Sequence, residues 1–285
     1  MIRVLITGGA GQLAQSFKKF LEREVEVLTL SKDKLNIINL SSILKVVFSF
    51  KPNLIINCAA YNLVDKAEED FDTAFSVNTL GVSNLAFVAR KQGSFLIHFS
   101  TDYVFDGTKG DLYLETDKPA PINKYGQTKW LGEIALQNIL PERSLIFRVS
   151  WVYGFGKQNF LSKLRSWSEK KNILQISCDE FSVPTYTETI VYFAYKAYQK
   201  GLIGLYHLVN NGFCSRYEWA KTFVELMGSS VKVYPVRAEI FSLPAKRPFF
   251  SALSPAKLER ELGETLPHWR EDLKRFVSRA KGAGF

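Results

Sequence analysis

The sequence predicts an α/β fold, a doubly wound parallel sheet followed by a smaller C-terminal α+β lobe. Up to residue 149, short segments that are apolar almost throughout alternate with amphipathic segments. Strands of a parallel sheet are covered by helices on both faces, which makes them apolar along their whole length. After Trp151 the alternation becomes irregular and prolines punctuate the end of the chain, which favours a separate lobe.

The elements follow from these periodicities in chain order. In the first half, strands are expected at 3–7, 25–30, 53–58, 95–100 and 144–149, and helices at 13–22, 41–50, 73–92 and 125–138. Ser41 and Ser42 precede an apolar run and suit a helix N-cap. In the second half, helices are expected at 160–170, 188–200 and 217–227, and strands at 174–177, 204–209 and 231–236. Segment 204–209 resembles one more core strand, so the two parts are expected to interleave.

Net charge is the one unusual feature of the composition. The chain carries 37 Lys and Arg against 28 Asp and Glu, a formal charge of +9. This excess suits nucleic acid, an anionic small molecule or a lysine-rich solvated surface, and the spread of the basic residues disfavours nucleic acid. Three distant cysteines argue against a disulfide framework and a structural zinc site. No apolar run reaches the length of a membrane span, and we expect a cytoplasmic protein.

A glycine-rich segment lies between the first strand and the first helix. In a Rossmann-like dinucleotide fold this turn holds the cofactor pyrophosphate on backbone N–H groups. Gly8 suits the tight turn, Gly11 a close approach of the backbone to phosphate, and Ala14 the third small position. The alternative is an ordinary β-to-α turn. We therefore expect a dinucleotide-binding domain at 1–153 that also receives 186–210, and a substrate-binding lobe at 154–285.

The end of the second strand bears on the choice of cofactor. NAD-binding domains place an acidic residue there, whereas this chain has Ser31 and Lys32. A hydroxyl and a cation suit a 2′-phosphate, which favours NADPH, although Lys32 could equally be a solvated side chain. Asp33 follows at once and leaves NADH as a second cofactor.

A tyrosine and a lysine four residues apart suggest acid–base chemistry. Tyr125 and Lys129 lie on one face of the expected helix, where the ammonium group would lower the tyrosine pKa. Ser100, Thr101 and Asp102 follow the fourth strand, at the carboxyl end of the sheet. The glycine loop, the hydroxyl at the strand end and Tyr-x-x-x-Lys, in this order, resemble the extended short-chain dehydrogenase/reductase superfamily.

Longer motifs resemble the dTDP-4-dehydrorhamnose reductase family over nearly the whole chain. They lie at 57–61, 64–68, 99–107, 147–154, 179–185, 204–208 and 247–248. Related epimerases and dehydratases usually carry an acid where this chain has Tyr103, and dehydration needs a further acid–base pair. The resemblance therefore implies a reductase that uses NADPH to reduce the C4 keto group of dTDP-4-dehydro-6-deoxy-L-mannose.

The resemblance also implies roles for individual residues. The catalytic residues would be Tyr125, Lys129 and Thr101. Cofactor-binding residues would be Gly8, Gly11, Gln12, Leu13, Ser31, Lys32, Ala59, Ala60, Tyr61, Asn78, Phe99, Tyr125 and Lys129. Substrate-binding residues would be Thr101, Asp102, Trp151, Asn159 and Arg247. Alternatives stay open for four of them: a helix cap for Asn78, a core aromatic for Trp151, and surface pairing for Asn159 and Arg247.

Some features depart from the family pattern. Phe250 stands where the family usually has an asparagine, which puts substrate contacts at that end in doubt. Ser16 stands near the position of a metal-binding glutamate in some relatives, so we expect no metal. Two other functions remain open: a reductase or epimerase of another nucleotide 4-keto sugar, and a regulatory subunit like that of methionine adenosyltransferase. A dTDP-sugar is the expected partner, without nucleic acid or membrane, and a homodimer is left open.

Overall fold

The computed structural model describes residues 1–156 and 158–282. Its strands are β1 (Arg3–Thr7), β2 (Glu26–Leu30), β3 (Leu54–Asn57), β4 (Phe95–Thr101), β5 (Ser144–Val149), β6 (Val152–Tyr153), β7 (Ile173–Ser177), β8 (Phe181–Ser182), β9 (Thr185–Tyr186), β10 (Gly204–His207), β11 (Cys214–Ser215) and β12 (Lys232–Val236). Its α-helices are α1 (Gln12–Leu21), α2 (Leu40–Phe50), α3 (Val64–Glu69), α4 (Phe71–Phe75), α5 (Gly81–Gln92), α6 (Lys124–Ile139), α7 (Phe160–Ser168), α8 (Thr187–Gln199), α9 (Arg216–Met227), α10 (Ala256–Leu262) and α11 (Trp269–Gly282).

The central sheet is parallel and has the order β10-β5-β4-β3-β1-β2. Alternate side chains of its strands enter two separate hydrophobic cores, as the period of a strand requires. Leu5, Ile55 and Ile146 pack against α2, α5 and α6, whereas Ile6 and Phe147 pack against α1, α8 and α10. The predicted doubly wound sheet is confirmed.

A third hydrophobic core belongs to the C-terminal part of the chain. It is built around Trp219, Trp269 and Phe276, from helices α7, α9 and α11 and the β7–β12 pair. Two short pairs, β8 with β11 and β6 with β9, lie between this core and the sheet. The expected lobe at 154–285 includes residues 157 and 283–285, which lie outside the described residues. Within the described part, no helix is long and apolar enough to cross a membrane.

Local details differ from the expectations. Helix α2 is capped by Asn39, whose side chain accepts a hydrogen bond from the Ser42 backbone N–H, so Ser41 and Ser42 lie inside the helix. The long helix expected at 73–92 begins at Phe71 and contains a π-helical turn, Ser76–Leu80. Helices α3, α10 and α11 were not expected. Strand β10 pairs in parallel with β5 and extends the sheet, as segment 204–209 predicted.

Candidate active site

The glycine turn has the geometry that a bound pyrophosphate requires. Gly8 has a φ of +66°, and a Cβ there would lie 2.6 Å from the Ala59 backbone nitrogen, so only glycine fits. Gly11 is the N-cap residue of α1 and offers no side chain that would occupy the first N–H groups of the helix. These N–H groups remain open to an anion, and the turn therefore fits a dinucleotide.

Gln12 joins the glycine turn to the C-terminal lobe. Its Nε2 donates to the Val152 carbonyl at 3.1 Å, and its Oε1 accepts from Asn159 Nδ2 at 2.9 Å. Asn159 also caps α7 by accepting from the Ser162 N–H at 3.0 Å. Asn159 thus lies beside the glycine turn, on the expected pyrophosphate side of the site. Leu13 packs against the core between α1 and the sheet.

Asn78 holds the segment that follows β3. Its Oδ1 accepts from the Tyr61 N–H at 2.9 Å, and its Nδ2 donates to the Tyr61 carbonyl at 3.1 Å and to Thr128 Oγ1 at 3.1 Å. The π-helical turn, a form frequent at functional sites, carries this buried amide. Ala59, Ala60 and Tyr61 are thereby fixed next to the helix that carries Tyr125. Asn78 positions neighbouring segments and does not act as a helix cap.

Tyr125 lies at the carboxyl end of β4, beside Thr101. The Thr101 hydroxyl lies close enough to the Tyr125 hydroxyl to act on its pKa, and the rings of Tyr125 and Tyr103 meet edge to face with 6.1 Å between their centroids. Gly126 permits this approach of α6, because a Cβ there would lie 2.1 Å from the Tyr103 carbonyl oxygen. Burial raises the pKa of Tyr125 and outweighs the hydrogen bond with Thr101 that would lower it. The phenol is therefore protonated at neutral pH, which suits a proton donor.

Lys129 lies one helical turn beyond Tyr125 and is buried. Its Nζ donates to the Phe99 carbonyl at 2.5 Å. Burial lowers the pKa of Lys129 to about 8, and the nearby Glu133 acts in the opposite direction. Glu133 itself is paired with Arg148 through two hydrogen bonds of 2.9 and 2.7 Å. Lys129 is mostly protonated at pH 7. The sequence predicts that this charge lowers the pKa of Tyr125, but burial governs the pKa of Tyr125 instead.

Asp102 ties the sheet to the C-terminal lobe. Its carboxylate accepts hydrogen bonds from Ser182 at 2.8 Å, from Ser251 at 2.5 Å and from Thr101 at 3.1 Å. Burial raises the pKa of this carboxyl group, and the three hydroxyl groups act against that rise. Asp102 therefore fixes the position of Thr101 relative to two segments of the lobe.

Trp151 lies where the chain passes from the sheet into the lobe. Its φ of +37° is rare for a large side chain and marks local strain. Its ring stacks on Trp219 with 5.5 Å between centroids, and the Arg216 guanidinium lies 4.2 Å from its centre. The indole is half-buried.

Arg216 is a candidate that reasoning from the sequence missed. Its Nε donates to Glu180 Oε2 at 3.2 Å. Burial raises the pKa of Tyr103 to about 12, and the positive charge of Arg216 acts to lower it. The guanidinium therefore lies near Tyr103, whose ring contacts that of Tyr125. The capping box formed by Ser215 and Glu218 starts α9 at this point and could have indicated that Arg216 opens a helix.

Arg247 lies near the same tyrosine and is held by Asp65. Two hydrogen bonds of 3.0 and 2.7 Å join the guanidinium to the carboxylate. Burial alone would raise the pKa of Asp65, but the hydrogen bonds from Arg247 and the Ala245 N–H, together with the nearby positive charges, outweigh it and the pKa is lowered. Phe250 packs against Phe181 and Phe213, with ring centroids 6.3 and 5.1 Å apart. This end of the site is aromatic where the family pattern has an amide.

At the carboxyl end of β2, Ser31 donates a hydrogen bond to Asp33, and Lys32 is exposed. In the described ranges, no group of three or more His, Cys, Asp and Glu is arranged to hold a metal ion. Cys58, Cys178 and Cys214 are free thiols.

The chain is similar to known proteins over almost its whole length. The model of the RmlD substrate binding domain family matches residues 2–281. A dTDP-4-dehydrorhamnose reductase of Sinorhizobium fredii is 35% identical over 287 residues, covering 97% of this chain and 97% of that protein. Crystal structures of dTDP-4-dehydrorhamnose reductases from Clostridium acetobutylicum and, in complex with NADP, from Bacillus anthracis each have a TM-score of 0.95. Each is 35% identical and covers 98% of this chain and 100% of the other.

Proposed function

Since the chain belongs to the RmlD substrate binding domain family, we propose that Tyr125, Thr101 and Lys129 form its active site. The protein is an NADPH-dependent oxidoreductase of dTDP-rhamnose biosynthesis. It reduces the C4 keto group of dTDP-4-dehydro-6-deoxy-L-mannose and gives dTDP-L-rhamnose, and NADH can serve as a second cofactor. The observation that carries the assignment of residues is the meeting of Tyr125, Thr101 and Lys129 at the strand ends, beside an open glycine turn.

Proton transfer is the task of Tyr125. The bound cofactor supplies a hydride to C4 of the sugar, and the carbonyl oxygen then needs a proton. Tyr125 can donate it, because a phenol whose pKa lies at or above its ordinary value is protonated at neutral pH. Thr101 hydrogen-bonds to the same oxygen or to the tyrosine and orients the donor. Solvent then returns a proton to the phenolate, which completes the cycle.

Lys129 binds and orients the cofactor. Its ammonium group is buried and has the Phe99 carbonyl as its acceptor, so it can also donate to ribose hydroxyl groups. Gly8, Gly11, Gln12 and Leu13 form the pyrophosphate turn. Ala59, Ala60 and Tyr61, which Asn78 holds in place, form the wall of the site that follows β3.

The substrate lies between the sheet and the C-terminal lobe in this proposal. Asp102 and Trp151 border the sugar, and Arg216 with Arg247 supplies positive charge for the diphosphate. Charge complementarity supports this arrangement, because both guanidinium groups act on Tyr103 and both are anchored by a carboxylate. Asn159, next to Gln12, is better placed for the cofactor side of the site.

The proposed division of the chain follows the hydrophobic cores except at α10, which packs in the core of the sheet. Residues 1–153 with 186–210 bind the dinucleotide, and the remainder of 154–285 binds the substrate. The packing of α8 on α1 and the pairing of β10 with β5 support this interleaving. A homodimer remains a proposal that light scattering of the purified protein can test.

The test is product analysis after the protein is incubated with NADPH and dTDP-, UDP- and CDP-linked 4-keto sugars. We expect consumption of NADPH and formation of dTDP-L-rhamnose from the dTDP substrate. The Tyr125→Phe variant should lose at least about 10² in kcat, the low end of proton-transfer contributions. Tyr206→Phe removes a hydroxyl from a buried tyrosine on the edge strand β10 and is the matched control. Near-normal turnover of Tyr125→Phe would refute the proposed role.

A further inference from the structure

A cleft opens beside the glycine turn, at the carboxyl end of β2. Its volume is about 300 Å³. The lining residues come from the turn, from α1 and from β2 and its end: Gly9, Ala10, Gln15, Lys18, Thr29 and Ser31. None of the catalytic residues proposed above lines this cleft. The ligand that occupies it therefore has to be inferred separately.

The position of the cleft corresponds to the adenosine ribose of a dinucleotide. In doubly wound folds the ribose 2′-position lies next to the end of the second strand, close to the first turn. Here the Gly9 N–H donates to the Leu30 carbonyl at 2.8 Å, which fastens the turn to β2. The cleft thus lies where a 2′-phosphate would distinguish NADPH from NADH.

The polar groups of the cleft have capacity for a ligand. Among the residues that the structure describes, the Lys18 side chain has no hydrogen bond and no ion pair, and the buried Thr29 Oγ1 has no partner. The Gln15 amide, by contrast, donates to the Gly9 carbonyl. An ammonium group without a partner, at the edge of an open cleft, is complementary to a phosphate.

We propose that Lys18 binds the 2′-phosphate of NADPH in this cleft and is the main determinant of the preference for NADPH. The proposal rests on the function proposed above. Lys32, which the sequence suggested for this role, is exposed and does not line the cleft. Lys18 could not be singled out from the sequence, because it lies in a helix beside a second lysine, Lys19.

Asp33 opposes Lys18 in this arrangement. Ser31 donates a hydrogen bond to Asp33, and this bond is the main reason why the pKa of Asp33 is lowered. The carboxylate is therefore charged at neutral pH and lies next to a residue that lines the cleft. It would repel a 2′-phosphate and accept a hydrogen bond from the 2′-hydroxyl of NADH. Lys18 and Asp33 together explain how one site can take both cofactors.

The experiment measures ligand binding by titration calorimetry and needs no sugar substrate. The probes are adenosine 2′,5′-bisphosphate, which carries the 2′-phosphate, and 5′-AMP, which lacks it. The variants are Lys18→Ala, its matched control Lys19→Ala, Lys32→Ala and Asp33→Asn. Lys18→Ala and Lys19→Ala remove the same charge from the last turn of α1, so a difference between them reports the contact with phosphate.

We expect Lys18→Ala to weaken binding of the bisphosphate roughly tenfold or more, the usual worth of a charged hydrogen bond, without changing that of 5′-AMP. Lys19→Ala should leave both affinities unchanged, and Asp33→Asn should tighten the bisphosphate. Equal bisphosphate affinities of Lys18→Ala and Lys19→Ala, or a loss confined to Lys32→Ala, would overturn the proposal and leave the reductase assignment intact. A wild-type protein that binds neither NADPH nor NADH would contradict both.

Discussion

Replacing Lys129 by methionine should stabilise the protein while it abolishes function. Lys129 is buried and its only hydrogen bond within the described residues is to the Phe99 carbonyl. The pKa of Lys129 falls from 10.5 to about 8 through burial. Since each pKa unit corresponds to 1.36 kcal/mol, the folded state is destabilised by about 3 kcal/mol at pH 7. Loss of the bond to the Phe99 carbonyl offsets about 1 kcal/mol, so we expect a net gain of about 2 kcal/mol.

The pH dependence of this gain has a definite sign. Below pH 8 the lysine is charged in the folded and the unfolded chain, and the full cost of burial is present. Between about 8 and 10.5 the folded protein releases the proton first, so the stability of the wild type rises with pH. The advantage of Lys129→Met should therefore shrink by about 2 kcal/mol between pH 7 and about pH 9.5.

Urea denaturation followed by circular dichroism at these pH values measures both quantities. Lys124→Met is the matched control, because Lys124 is exposed on the same helix and its replacement should change stability by less than about 0.5 kcal/mol. Calorimetry with NADPH measures cofactor binding, and we expect Lys129→Met to bind NADPH more weakly than the wild type does. A variant that is no more stable than the wild type at pH 7, or a gain that does not fall with pH, would refute this reasoning.

Three further substitutions test the construction of the site. Gly126→Ala would place a Cβ 2.1 Å from the Tyr103 carbonyl oxygen. We expect urea denaturation to show a loss of about 1–3 kcal/mol in the free energy of unfolding, and kcat to fall. A variant with unchanged stability and kcat would contradict the close approach of α6 to Tyr103. Asn78→Ala leaves the Tyr61 N–H without its partner, so stability should fall by about 1–3 kcal/mol and the Kd for NADPH should rise. Arg216→Gln should raise the KM for the dTDP-sugar about tenfold at an unchanged Kd for NADPH, and an unaltered KM would exclude contact with the substrate.

The sheet was predictable because its signal is local. Strands buried on both faces are apolar throughout, and the helices between them indicate parallel pairing. The strand order and the register come from the structure alone. The helix boundaries were less accurate, because they depend on single hydrogen bonds. Asn39 caps α2 in place of Ser41, and the π-helical turn around Asn78 reflects tertiary bonds to Tyr61 and Thr128. Helix α11 was missed, although its buried face includes Trp269 and Phe276.

The candidate site was predictable where chemistry follows a strand or recurs along one helix. Thr101 follows β4, and Tyr125 with Lys129 lies on one face of α6, so sequence spacing alone brings them near the sheet edge. Arg216 and Lys18 carry no such signal. Arg216 reaches the site only because the lobe folds back on Trp151, and Lys18 is distinguished from Lys19 only by the direction of its side chain.

The active site also contains buried charges and backbone strain that lower the stability of the folded chain. Arg148 and Glu133 are buried as an ion pair joined by two hydrogen bonds. Lys129, by contrast, is buried with a carbonyl group as its partner, and Asp102 is buried with hydroxyl groups as partners. Among the described residues, neither Lys129 nor Asp102 has an oppositely charged hydrogen-bond partner, and Trp151 adds backbone strain at the adjoining turn. Such costs persist only where other packing fixes the arrangement. A ligand that brings acceptors to Lys129 lowers the cost, so NADPH should stabilise the wild type more than it stabilises Lys129→Met.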